Sequence, residues 1–172
     1  INQLVLTGQI NDVGAYTRFN VPKSYRLGIE LQASWKPASW ITAGGNLALS
    51  RNKIKAFTEY FDNYDTNGQN SIDRKNTDIA FSPAVVAGTQ LLFFPAKQWE
   101  LGLLGKYVGK QYMDNSGLDR SVLNAFSTQD LRIIYNFSNK TFKSLQIIGQ
   151  VNNVFNTLYE PNGYSYTYIS GG

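Results

Sequence analysis

Tyr60, Tyr64, Arg74, Tyr112, Asp114, Asp119 and Arg120 fall in two long polar stretches, Ser50 to Phe81 and Lys110 to Gln129. Aromatic rings beside a few charged groups make good capture surfaces, so these seven are the candidate ligand contacts. Ordinary loop chemistry is the other reading of the same residues, since loops concentrate such types. Within the first stretch, Asn63, Asp65, Asn67 and Gly68 stand at the opening spacings of an oxygen-rich calcium loop. Position twelve of that loop would be Arg74, where a bidentate Glu belongs, so the stretch reads as a solvated loop of turn formers and no metal ligand is assigned.

The chain contains no His and no Cys. Imidazole chemistry at neutral pH, Ser-His-Asp hydrolysis, thiol nucleophiles, disulfides and thiolate metal sites are therefore unavailable to it. No pair of carboxylates stands out as mutually perturbed, and neither catalysis nor a cofactor is expected in this segment. The net charge of +4 is modest and its Lys and Arg residues are scattered without a basic stripe. A nucleic-acid partner is not expected.

The elements that must hold the candidate residues alternate with period two. From Tyr25 to Lys36, one face of an extended chain collects Tyr25, Leu27, Ile29, Leu31, Ala33 and Trp35, while Arg26, Gly28, Glu30, Gln32, Ser34 and Lys36 take the other. Rings at both ends of an apolar row about 10 residues long match a strand crossing a bilayer, with the rings at the two headgroup levels. Trp99, Leu101, Leu103, Gly105 and Tyr107 repeat the grammar. Three further rows follow it: Ile41 to Leu49, Leu131 to Phe137 and Leu145 to Val151. The run Pro83 to Phe94 is less clean, because Val86, Leu92 and Phe94 blur the row made by Val85, Ala87, Thr89, Leu91 and Phe93.

No apolar run is long enough for a transmembrane helix, yet a barrel needs only alternate residues apolar, so 42% hydrophobic content and 24 aromatics are compatible with a membrane strand. Tyr25, Leu27, Ile29, Leu31, Trp35, Trp99, Leu101, Leu103 and Tyr107 are expected to face lipid. Arg26, Glu30, Glu100, Asp130 and Arg132, with Lys36, are expected to face the lumen as charge ladders or contacts to an internal domain. Short connections at Lys36 to Ser39, Phe94 to Gln98 and Asn136 to Ser144 alternate with the two long ones, as in an up-and-down meander whose short turns line the periplasmic rim. Residues 1–23 read as a strand end and loop, and 24–172 as barrel strands and loops.

The segment Gln150 to Tyr164 contains Asn153-Val154-Phe155-Asn156-Thr157-Leu158-Tyr159 and resembles the penultimate strand of TonB-dependent outer-membrane receptors, where an N-[LV]-F-N-x-x-Y element is common. Arg26 to Glu30 is similar to the G-[IV]-E strand start of these barrels, and Asn46 to Asn52 to the outgoing strand after it. The loop Tyr164 to Tyr168 looks like that of Bacteroidetes siderophore-type or general receptors. The resemblance implies an all-β, antiparallel up-and-down transmembrane β-barrel, of which this chain holds about six strands, roughly 16 to 21 of about 22. It implies the outer membrane as location and import of a scarce nutrient such as a siderophore as function. The implied partners are lipid, the remaining strands, a plug domain outside this chain, and the TonB-ExbB-ExbD system acting through the plug. A passive porin or small barrel, and a soluble glycan-binding β-sandwich, are the alternative readings.

Overall fold

The computed structural model describes residues 3–21 and 23–171. Twelve strands are present among them: β1 (Gln3–Ile10), β2 (Tyr16–Val21), β3 (Ser24–Ala38), β4 (Ile41–Asn63), β5 (Gly68–Asp78), β6 (Val85–Ala96), β7 (Trp99–Val108), β8 (Gln111–Tyr112), β9 (Val122–Leu123), β10 (Phe126–Phe137), β11 (Leu145–Val151) and β12 (Tyr168–Ile169). The described residues form no α-helix, only a single 3-10 turn at Asp119–Ser121.

Six of these strands make one antiparallel sheet in the order β3-β4-β6-β7-β10-β11. It does not close. β3 and β11 lie at opposite edges, so the sheet is a partial barrel wall with backbone groups at each edge left for further strands.

Cross-strand register is what turns six separate rows into one surface. Leu31 stands opposite Leu47, Leu47 opposite Ala87 and Ala87 opposite Tyr107. Leu91 meets Leu103, Leu103 meets Leu131 and Leu131 meets Val151. Residues directly opposite share a face, so every apolar row read from the sequence, including the blurred Val85 to Phe93 row, falls on the same side. A slip of one residue in any pairing would have sent that strand's row to the other side.

That face is bare. Leu27 is 70% exposed, and Ile29, Leu31, Trp35, Leu91, Phe93, Leu103, Leu131, Ile133, Ile147 and Val151 are exposed with it. A dry sandwich would bury these rows against one another, and nothing among the described residues covers them. Aromatic rings gather at the short-turn end, where Trp40 meets Phe93 edge-on at 5.3 Å and Trp99 lies 4.7 Å from Tyr135. The ten residue steps from Tyr25 to Trp35 span about 33 Å along the strand, and a tilt of about 45° brings that to about 23 Å of height, close to the apolar band of a membrane barrel.

The opposite face carries Arg26, Gly28, Glu30 and Gln32 of β3, facing Asn52, Ser50, Ala48 and Asn46 of β4. Arg132 donates to Glu100 at 3.0 Å on this side. Its middle forms a broad concavity of about 710 Å³ lined by Glu30, Gln32, Asn46, Gly88, Gln90 and Leu104.

Pro37 and Pro95 sit near the ends of β3 and β6, each where the register shifts, between Trp35 and Ala38 and between Phe93 and Ala96. Proline cannot donate to a ladder and is tolerated at such irregular ends. The two turns that follow are tight, at Ser39 and Trp40 and at Lys97 and Gln98.

The long stretch Ser50 to Phe81 departs from the loop the sequence suggested. β4 runs on for 23 residues and returns through β5, with Lys53 to Asn63 paired against Gly68 to Asp78. Beyond the wall, then, the chain builds a standing hairpin. β1 and β2 form a second hairpin that packs on it, burying a small cluster of Val5, Val21, Ile54 and Ile79 with Phe57 against them; Ile54 is 0% exposed. This cluster lies at the long-loop rim, above the bare wall, and it holds the two hairpins together.

Candidate ligand-binding site

The two hairpins, the loop after β7 and the C-terminal tail border a half-open cavity of about 110 Å³ at the long-loop rim. Its floor comes from Phe57 and Glu59 to Asp62 on β4, one side from Leu6 to Gly8 and Tyr16, and the roof from Asp114 to Ser116 and Ser165 to Thr167.

Glycine decides how close the β1–β2 hairpin can approach. Gly8 has a φ of +85°, which L side chains rarely adopt, and a Cβ there would run into the Tyr60 carbonyl. The β1–β2 pairing is irregular at the same place, between Leu6 and Ile10, so Gly8 is the bulge that bends β1 over β4. Gln69 of β5 fastens the bend. Its Oε1 accepts the Ile10 N–H at 3.1 Å while its Nε2 donates to the Gly8 carbonyl at 2.8 Å and to Asp62 Oδ1 at 2.9 Å.

Asp62 is the centre of a tyrosine cluster drawn from three parts of the chain. The Tyr16 hydroxyl donates to its Oδ2 at 2.7 Å, and Tyr166 donates to the same oxygen. A phenol has one proton to give. With Tyr16 and Tyr166 both committed to the carboxylate, Tyr64, whose oxygen lies 3.1 Å from that of Tyr166, is the donor in that pair. Tyr168 completes the group, its ring 5.8 Å from those of Tyr64 and Tyr166. The bonds from Tyr166 and then Tyr16 hold the Asp62 carboxyl below its ordinary pKa. The Tyr166 phenol is pushed far up, chiefly by the same carboxylate, with Tyr16 and Tyr64 adding to it.

Asp114 faces the cavity from the roof. Burial works to raise its pKa, but the Ser116 and Ser121 hydroxyls and the Ser116 N–H, at 2.5, 2.6 and 2.9 Å, outweigh burial and keep the carboxyl low. Ser121 also lies 2.7 Å from the Ser165 hydroxyl, tying the roof loop to the tail. Arg120 donates to Thr167 at 3.1 Å, and the tail then pairs parallel to β4, Tyr168 beside Asp62.

Of the seven residues expected to touch ligand, Tyr60 and Asp114 line the cavity, and Tyr64 belongs to the tyrosine cluster at its edge. Arg74 approaches through Glu59, a lining residue that it holds by an ion pair of 2.7 Å. Arg120 secures the tail. Tyr112 and Asp119 do not line the cavity: Tyr112 sits in the short β8–β9 ladder, where its carbonyl accepts the Phe81 N–H at 2.8 Å, and Asp119 opens the 3-10 turn. Tyr16, Ser165 and Tyr166 were not among the expected contacts, and Asp62 lies beside the turn-rich run that begins at Asn63. The alternation Tyr164, Tyr166, Tyr168 was the available signal for the tail.

The oxygen-rich run after Asp62 closes a hairpin instead of enclosing an ion. Asn63 Oδ1 accepts the Asp65 and Thr66 N–H groups at 3.0 and 3.3 Å, and Asn67 takes the left-handed conformation the turn needs. No group of three acidic, His or Cys side chains among the described residues is close enough to hold a metal ion.

The asparagine-rich segment also differs from expectation, because β11 ends at Val151 and the motif is a turn. Asn153 and Asn156 both have φ of 51°. Asn153 receives the Thr157 N–H at 2.9 Å and donates to the Thr157 carbonyl at 3.0 Å, and its own N–H goes to Asp130 at 2.8 Å. Asparagine is among the few residues at ease in that backbone region, which explains its repetition.

An open antiparallel wall with one bare apolar face, tight turns on one rim and standing hairpins on the other defines a segment of an outer-membrane β-barrel. The family model described as TonB dependent receptor-like, β-barrel, matches residues 2–154, and the chain belongs to that family. Among solved structures it is similar to the FrpB iron transporter from Neisseria meningitidis (F3-3 variant), with a TM-score of 0.55 and 21% identity over 96% of this chain. The chain spans 24% of that structure. Compared with curated proteins, the sequence matches none.

Proposed function

We propose that the whole protein is an energised importer of a scarce nutrient too large for porins, siderophore-type among the candidates, and that this segment supplies barrel wall and extracellular capture loops. The carrying observation is the register: six apolar rows share one face while every elaborate loop rises at the same rim. In this reading Tyr25, Leu27, Ile29, Leu31, Trp35, Trp99, Leu101, Leu103 and Tyr107 meet lipid. Arg26, Glu30, Glu100, Asp130 and Arg132 line the lumen, where the polar concavity on that face leaves room for a plug domain.

Capture falls to the rim cavity, with Tyr60, Tyr64 and Asp114 as contacts and Arg74 acting through Glu59. Release inward requires the plug to move, and the TonB-ExbB-ExbD system, working through the plug, would supply the energy. A passive porin shares the wall, so energy dependence separates the two. Accumulation of the nutrient in cells expressing the receptor is expected to stop on deletion of TonB or collapse of the proton gradient; uptake unaffected by both would leave the porin reading standing.

A further inference from the structure

We propose that the short-turn rim of the wall binds anionic phospholipid headgroups of the periplasmic leaflet of the outer membrane, through Lys97, Lys140 and Lys143. This rests on the reading of the bare apolar face as the surface that meets lipid, and names the headgroup chemistry selected along its edge.

The distribution of charge points there first. Residues 36–40, 94–99 and 136–144, the three short turns with their flanks, contain Lys36, Lys97, Lys140 and Lys143 and no Asp or Glu. All four lysines are exposed, and none makes an ion pair among the described residues. Of the 16 Lys and Arg residues in the chain, the other twelve equal the 12 Asp and Glu in number, so the net charge of +4 is the charge of this one rim. Glu100, the acid nearest to any of the four in sequence, is already held by Arg132 at 3.0 Å. A band of one sign draws counter-charge of the other.

Placement then selects the counter-charge. Cross-strand pairing sets Ile41, Phe93, Leu101, Ile133 and Gly149 at one level of the sheet, so the three turns beyond them stand along a single edge. They recur at every second strand, about 10 Å apart. Strung out in this way, the lysines suit a row of headgroups better than one small anion. Trp40, Trp99 and Phe142 are exposed beside them. Such rings settle between hydrocarbon and headgroups in a membrane barrel, and lysine stems reach outward from that level toward phosphate. Lys36 follows the polar row of β3 and adds to the field without being a headgroup contact.

The β10–β11 turn shows how two of the lysines are presented. Asn139 Oδ1 accepts the Thr141 and Phe142 N–H groups at 2.8 and 2.7 Å, and the Ser138 hydroxyl donates to the Lys143 carbonyl at 2.9 Å. None of these bonds uses an ammonium group, so the turn is ordered while Lys140 and Lys143 keep their charges for a partner outside the chain.

The test puts one fluorophore on the full-length receptor, at Leu145→Cys beside the short-turn rim or at Leu27→Cys toward the opposite rim. Vesicles of phosphatidylcholine then receive a fixed share of brominated phosphatidylglycerol or of brominated phosphatidylcholine, and bromine quenches only from the adjoining lipid shell. At Leu145→Cys phosphatidylglycerol is expected to be favoured about threefold or more at low salt. The preference should shrink toward equality at about 0.5 M NaCl, where screening acts within a few Å. At Leu27→Cys the two lipids should quench alike. Combining Lys97→Gln, Lys140→Gln and Lys143→Gln should abolish the preference, while the three matching Arg substitutions should keep it, since they keep the charge. Heat-modifiable gel mobility reports barrel assembly; if the triple Gln variant fails to assemble, the single Gln variants carry the comparison. The same preference at both rims, a preference that survives the Gln substitutions, or one displaced by inorganic phosphate at constant ionic strength would overturn the proposal. Equal quenching at Leu145→Cys together with binding of isolated peptidoglycan that needs the lysines would assign the rim to the cell wall instead. Strong but equal quenching sinks the headgroup preference alone, whereas no quenching by either lipid would mean that the wall does not meet lipid and would sink the reading beneath it as well.

Discussion

Asp62 shows how one carboxylate can organise a rim. It joins β4 to the β1–β2 hairpin through Tyr16 and Gln69, and to the tail through Tyr166. Because these bonds lower its pKa from 3.8, the stabilisation they give is fully present above that value and is lost as pH falls through the depressed one. Acidification from pH 6 to pH 3 is therefore expected to loosen β1–β2 and residues 164–169 ahead of the wall. Hydrogen exchange, corrected for the intrinsic rate, should show protection falling there while β7 keeps its own; equal loss in both would refute the assignment. On the wall itself, Leu103→Arg should cost about 2 to 4 kcal/mol and Leu104→Arg, its neighbour on the opposite face, less. Folding titrations of the full receptor in lipid would read the difference, and equal losses would mean the faces are exchanged.

The strands were legible in the sequence because alternation is a local signal, and a membrane wall, solvated by lipid on one side, writes it strongly. Even the blurred row behaved as a strand, since Val86, Leu92 and Phe94 are only additional apolar residues on the polar face and the register of β4 and β7 fixes its direction. What stayed hidden was long-range. That Ser50 to Phe81 would stand up as a hairpin depends on pairing Lys53 with Asp78, and that Tyr16 and Tyr166, 150 positions apart, would share one carboxylate depends on the fold of the whole rim. The asparagine motif was recognised as a pattern but its physics is that of a turn. Replacing Asn153 with Ala should remove two hydrogen bonds and the ease of positive φ, a loss of about 1 to 3 kcal/mol. Limited proteolysis is expected to cut near Thr157 faster in that variant, and unchanged cleavage would argue that the turn is held from elsewhere.

At the scale of the molecule, the family, the open edges and the bare face describe a piece of wall whose stability belongs to a larger barrel. In lipid each unpaired backbone group at β3 or β11 costs several kcal/mol, so those edges must be paired by other strands. The orientation of the two faces is the claim on which lumen, loops and transport all depend. It is tested most directly by placing single spin labels at successive positions of β3 and β7 in the full receptor in bilayers and measuring collision with oxygen and with a water-soluble nickel complex. The account predicts alternation, with Leu27, Ile29, Leu31, Leu101 and Leu103 open to oxygen and Gly28, Glu30, Gly102 and Leu104 open to nickel. Nickel access at all of these positions, or the same alternation reversed, would contradict it.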